Sequence, residues 1–163
     1  MQGLASLLAV VVRLPLSDKK WDDKYDNKDD KPLANLLVVD DDSDIAQVLK
    51  QGLLNNRFLV SAFTNPEEAL QSFKSNANDF CLVISDMRMP GLSGIQLARK
   101  IKEINPNVKV VLMTAFEIKD NEFSKVFPST SIDGFIQKPV GIRDLTNKVL
   151  SVIGEPKRRP NKD

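Results

Sequence analysis

Apolar residues fall along this chain in two alternating rhythms. Five short segments read as strands: Asn35-Leu36-Leu37-Val38-Val39, then 58–63, 82–85, 108–113 and 132–137. Largely apolar runs of that length, bounded by polar or turn residues, suit a sheet covered on both faces. Between them the apolar positions recur at helical spacing. Ile45, Val48, Leu49 and Leu53 mark one face of a helix expected to be capped by Ser43. Asn65-Pro66-Glu67-Glu68 reads as a cap, a proline at the first helical position and acids in the first turn, with Ala69, Leu70 and Phe73 inward. A third helix over 93–104 turns Leu97, Ala98, Ile101 and Ile104 inward, and Pro106 stops it. A fourth helical segment, 118–127, has a poor pattern. Ile142, Leu145, Val149 and Val152 mark the last helix, which Gly154-Glu155-Pro156 ends. Strands alternating with helical segments predict an α/β fold, with a parallel sheet between two layers of helices.

The flanks read differently. Residues 1–16 hold one apolar block from Leu4 to Val12 with no basic residue before it, unlike a secretory signal. Residues 17–31 contain six Asp and five Lys. Such charge density buries too little apolar surface to order itself. The expected organisation is therefore a disordered or weakly ordered extension over 1–32, a domain over 33–153 and a basic tail over 154–163. The 163 residues suit one domain with some tail.

Composition narrows the chemistry. There is no histidine, which excludes histidine acid–base catalysis, histidine metal ligands and a histidine phosphodonor within this chain. The single Cys81 forms no internal disulfide and fits a reducing, cytoplasmic setting. The net charge of +1 gives no reason to expect nucleic acid as a partner. No apolar run approaches the roughly 20 residues that span a bilayer, so no stable membrane insertion is expected.

The strand ends carry the informative residues. The first strand ends in Asp40 and Asp41, the third in Asp86, the fourth in Thr114 and the fifth in Lys138. In a parallel sheet these ends share one edge. With strand order 2-1-3-4-5, the first and third strands are neighbours at the switch point, where such sheets bind ligands. Three carboxylates then crowd together, and two like charges about 4 Å apart near a surface repel by ~4 kcal/mol. A hard divalent cation offsets that repulsion, and oxygen-only ligands suit Mg2+. A cation, a lysine and a hydroxyl suit a phosphoryl group, and a carboxylate can accept one as an acyl phosphate. Asp86, alone on its strand, is the best nucleophile candidate.

These segments resemble the receiver domain of two-component response regulators. The matching pieces are Leu36-Leu37-Val38-Val39-Asp40-Asp41-Asp42, Ser85-Asp86-Met87-Arg88-Met89-Pro90-Gly91-Leu92-Ser93-Gly94, Val111-Leu112-Met113-Thr114-Ala115 and Phe135-Ile136-Gln137-Lys138-Pro139. Each alone is weak, but together, in order and at domain spacing over about 34–153, they are specific. The resemblance implies a flavodoxin-like (βα)5 doubly wound sheet of order 2-1-3-4-5. It implies Asp86 as phosphoacceptor, with Mg2+ held by Asp40, Asp41, Asp86 and the backbone carbonyl of Arg88. Lys138 would contact the phosphoryl group and precede a cis peptide at Pro139. Thr114 and Phe135 would form the switch, and Arg88 and Phe116 would sit at the two positions that tune hydrolysis. The implied phosphodonor is a histidine kinase or a histidine-containing phosphotransfer protein. Output is expected by binding a target protein through the face of the fourth helical segment, the fifth strand and the last helix, since only ten residues follow Ile153.

Two other readings compete. A Mg2+-dependent phosphohydrolase with an aspartate nucleophile, of the haloacid-dehalogenase-like kind, needs Asp-x-Asp-x-Thr/Val on its first strand. Asp40-Asp41-Asp42-Ser43-Asp44 ends in the wrong residue for that pattern. A receiver-like scaffold that binds partners without phosphorylation would not need the full set of site residues. The expectation is therefore a signalling phosphoacceptor rather than a turnover enzyme.

Overall fold

A computed structural model describes residues 31–117, 125 and 130–154. The strands are β1 (Asn35–Val39), β2 (Leu59–Phe63), β3 (Leu82–Asp86), β4 (Lys109–Thr114) and β5 (Gly134–Gln137). The helices are α1 (Ser43–Asn55), α2 (Pro66–Ser75), α3 (Gly94–Ile104) and α4 (Ile142–Ile153). All strands pair in parallel in the order β2-β1-β3-β4-β5, the order expected.

The period-two geometry of the strands divides the core. Leu37, Val39, Val83, Val110 and Leu112 point to one face, where α2 supplies Ala69, Leu70 and Phe73, and α3 supplies Leu97, Ala98 and Ile101. Leu36, Val38, Leu82, Ile84, Val111 and Met113 point to the other, against Leu49 and Leu53 of α1 and Leu145 and Val149 of α4. The sheet is therefore buried on both sides, which is why its central strands lack polar alternation.

Several local expectations change. Asp42, not Ser43, caps α1: its side chain accepts from the amides of Asp44 and Ile45, and Ser43 becomes the first helical residue. Val48 is not inward but 61% exposed. Helical steps of about 100° place it roughly 130° from the centre of the Ala46, Leu49 and Leu53 face. Ile104, the last residue of α3, is 38% exposed, because that helix's buried face closes at Ile101. β2 begins at Leu59 and is half-buried throughout, as befits an edge strand, while β5 starts only at Gly134. Asn65 caps α2 with Pro66 following, as expected. The expected helix over 118–127 lies outside the described residues, save Lys125. The N-terminal extension before Lys31 and the tail beyond Gly154 lie outside them too.

Candidate functional site

The site is assembled at the C-terminal edge of the sheet. Asp40 directly follows β1 and is completely buried. Its backbone amide donates to the carbonyl of Phe63 at 3.1 Å, which ties it to the end of β2. One carboxylate oxygen accepts the Asp42 amide at 3.0 Å, and the other pairs with Lys138 Nζ at 2.7 Å. Asp41 is exposed beside it.

Asp86 closes β3, the neighbour of β1, and its Oδ1 lies 3.3 Å from the same Lys138 Nζ. Around it the backbone is fixed from two sides. The Met87 amide donates to the Met113 carbonyl at 2.9 Å, and the Lys138 amide to the Thr114 carbonyl at 2.7 Å. The β3–α3 loop folds back tightly, with the Gly94 amide donating to the Met87 carbonyl at 2.9 Å. A Cβ at Gly94 would collide with the backbone carbonyl of Asp86, so this position needs glycine. A capping box follows, with Ser93 and Gln96 exchanging bonds at the start of α3.

The electrostatics are coupled. Burial raises the Asp86 carboxyl above the ordinary range, and the Asp40 charge and neighbouring Asp41 push the same way, against the opposing pull of Lys138. For Lys138, burial works against the ammonium. The hydrogen bond that Lys138 donates to Asp40 and the charges of Asp40 and Asp86 outweigh it and hold the amine above its usual value. One lysine thus spans a buried acid, Asp40, and a half-buried one, Asp86.

Asp40, Asp41 and Asp86 each offer a carboxylate oxygen, and these oxygens lie within 4.8 Å of one another. A donor set of oxygens alone, partly open to water through Asp41, fits a hard divalent cation such as Mg2+. The expected grouping of Asp40, Asp41, Asp86 and Lys138 is therefore present. The Lys138–Pro139 peptide is cis, as expected. Thr114 is buried at the end of β4, and its hydroxyl accepts the Phe116 amide at 3.0 Å. Phe135 lies on β5, half-buried, and packs on the α2 and α3 side of the core rather than in the acid pocket. Arg88 and Phe116 do meet: Arg88 Cζ stands 4.5 Å from the Phe116 ring centroid. Sequence reasoning placed both at the site but missed their stacking, and no spacing rule links loops on different strands. The Ser93-x-x-Gln96 pattern, by contrast, was a readable sign of the capping box.

The comparisons with known proteins agree with this geometry. The family model described as the response regulator receiver domain matches residues 36–150. A putative two-component response regulator of Arabidopsis thaliana is 33% identical over 112 residues, which are 69% of this chain and 18% of that protein. The DNA-binding transcriptional regulator NtrC of Escherichia coli is 35% identical over 105 residues, 64% of this chain and 22% of that protein. The chain thus spans about a fifth of the length of these two curated relatives. Among solved structures, a response regulator receiver domain protein from Clostridium thermocellum is 32% identical with a TM-score of 0.65, covering 74% of this chain and 94% of that one.

Proposed function

The chain belongs to the response regulator receiver domain family, and from that premise we propose that Asp86 accepts a phosphoryl group and thereby switches the domain. The observation that carries this reading is Asp86 at the end of β3, with Asp40 and Asp41 within ligand distance and Lys138 bridging it to Asp40. The phosphodonor is a histidine kinase or a histidine-containing phosphotransfer protein, because this chain has no histidine of its own.

An Asp86 carboxylate oxygen attacks the phosphorus of the donor's phosphohistidine. The phosphorus–oxygen bond forms, the phosphorus–nitrogen bond breaks, and the imidazole leaves. Asp40, Asp41, Asp86 and the Arg88 carbonyl would hold Mg2+, which supplies charge neutralisation for the transferred phosphoryl. Lys138 is already poised 3.3 Å from Asp86 and can turn from it to a phosphoryl oxygen. Thr114, one strand away, offers a hydroxyl donor, and Phe135 on β5 is the ring that would repack behind it.

Output follows from a packing change on that side of the sheet, read by a target protein at the face of β5, α4 and the segment that precedes β5. Among the described residues no helix is long and apolar enough to cross a membrane. The setting we assign is cytoplasmic, and the role is signalling rather than substrate turnover. Incubation with acetyl phosphate and Mg2+ tests the reading by intact mass. One phosphoryl group is expected on the wild-type chain and none on Asp86→Asn, and an adduct that persists in Asp86→Asn contradicts the assignment.

A further inference from the structure

Two loops meet above the acid pocket. Arg88 leaves the β3–α3 loop two residues past Asp86, and Phe116 leaves the loop after β4 two residues past Thr114. The 4.5 Å between the guanidinium and the ring centroid lies inside the ~6 Å at which a cation is drawn to an aromatic face. Both side chains are exposed, the Phe116 residue by 51%. The ring is half exposed, and among the described residues the stacked guanidinium is a restraint on it.

Phe116 is also tied to the switch threonine, since its amide donates to Thr114 Oγ1 at 3.0 Å. Thr114 is buried at the end of β4, which pairs along its length with the strand that ends in Asp86. A line of contacts therefore runs from the Arg88 guanidinium through the Phe116 ring and amide to the Thr114 hydroxyl. Resting on the reading of Asp86 as phosphoacceptor, we infer that the Arg88–Phe116 stack is a clasp that holds Thr114 in its resting position and opposes the phosphorylated conformation.

The physical reason is geometric. A hydroxyl can donate one proton while it accepts another. On the proposed reading Thr114 moves toward Asp86 to donate to a phosphoryl oxygen, so its side chain leaves the place where it now accepts the Phe116 amide. Either the backbone around Phe116 follows it, or the Phe116 amide loses its partner. Following draws the ring from beneath the guanidinium. Weakening the stack therefore makes the movement easier, and the two side chains act as one unit. An exposed stack of this kind shifts an equilibrium about two- to fivefold.

A double-mutant cycle on the full chain tests the clasp. Phe116→Leu removes the ring, Arg88→Gln removes the charge while keeping the backbone carbonyl, and the pair removes both. Each is titrated with beryllofluoride, a phosphoryl mimic, in the presence of Mg2+ and followed by amide NMR. Each single change should lower the half-saturating concentration by about two- to fivefold, and the pair should do no more than either alone. If Arg88 acted only as a positive charge near the anion, its loss would weaken binding instead. Weaker binding in either single variant, or effects that multiply in the pair, overturns the clasp. A wild-type chain that takes up neither beryllofluoride nor phosphoryl from acetyl phosphate overturns the phosphoacceptor reading itself, and the clasp with it.

Discussion

Asp86 is held in a position that costs the folded state something at neutral pH. Burial raises its carboxyl, with Asp40 adding to the effect. A carboxyl raised on folding favours the folded state while protonated. That contribution is complete below its unfolded range and is lost as pH climbs through the folded value. Asp86→Asn removes this titration. Without metal, denaturant unfolding should show Asp86→Asn gaining on wild type as pH rises from roughly 4 to 7. A constant difference across that range would contradict it. Mg2+ should reverse the sense for wild type. A ligand that binds only the folded state at a hundredfold excess over its dissociation constant adds ~2.7 kcal/mol. Asp41→Ala should therefore lose most of the Mg2+-induced rise in melting temperature, while its metal-free form is no less stable than wild type because one repelling charge is gone. At this scale the sequence was informative about the acids and the lysine, since each stands at the end of an apolar run. It did not separate Asp42 from Ser43 as the cap of α1, because both residue types suit that place and only the backbone turn decides. The stacking of Arg88 on Phe116 joins loops 28 positions apart in number, and nothing local to either residue signals it.

Among elements, β4 and β5 connect the acid pocket to the rest of the sheet. Thr114 is the last residue of β4 and pairs with Gln137, immediately before Lys138. Phe135 pairs with Leu112 on the same two strands. A movement of Thr114 thus acts on the strand that carries both the lysine and the ring. Thr114→Ala should still accept phosphoryl at Asp86, yet beryllofluoride should perturb the amides of 132–150 less than in wild type. Wild-type shifts that stay within the loops around Asp86 would show that the route through β5 is wrong. The strands were legible because burial on both faces demands continuous apolar runs, and the helices because one apolar face repeats. Val48 misled for a plain reason. An apolar residue next in sequence to a buried one counts toward the pattern even where it points to water, and the pattern alone does not give the width of the buried face. The outer strand β2 was found despite its half-buried character, while the start of β5 was placed two residues early because Ile132 continues the apolar signal without joining the ladder.

For the whole molecule, fold and site have one cause. Parallel strands must be joined by crossovers, the crossovers cover both faces, and every strand delivers its C-terminal residue to the same edge. The order β2-β1-β3-β4-β5 then sets Asp40 beside Asp86 and puts Lys138 across from them. The Lys31 carbonyl accepts from the Arg57 guanidinium at 2.8 Å, Leu33 donates to the Arg57 carbonyl at 2.8 Å, and the site residues all lie beyond these contacts. A chain starting at Lys31 should fold and take phosphoryl from acetyl phosphate as the full chain does, which circular dichroism and intact mass would check. Insolubility or lost phosphorylation would assign the preceding residues a part in the domain. The most direct test of the account is the position of the phosphoryl group itself. After reaction with acetyl phosphate and Mg2+, borohydride reduces an aspartyl phosphate to homoserine, and peptide mass spectrometry reads which residue changed. The account predicts homoserine at Asp86 and at no other aspartate. Homoserine at Asp40 or Asp41, or at none of the three, would contradict it.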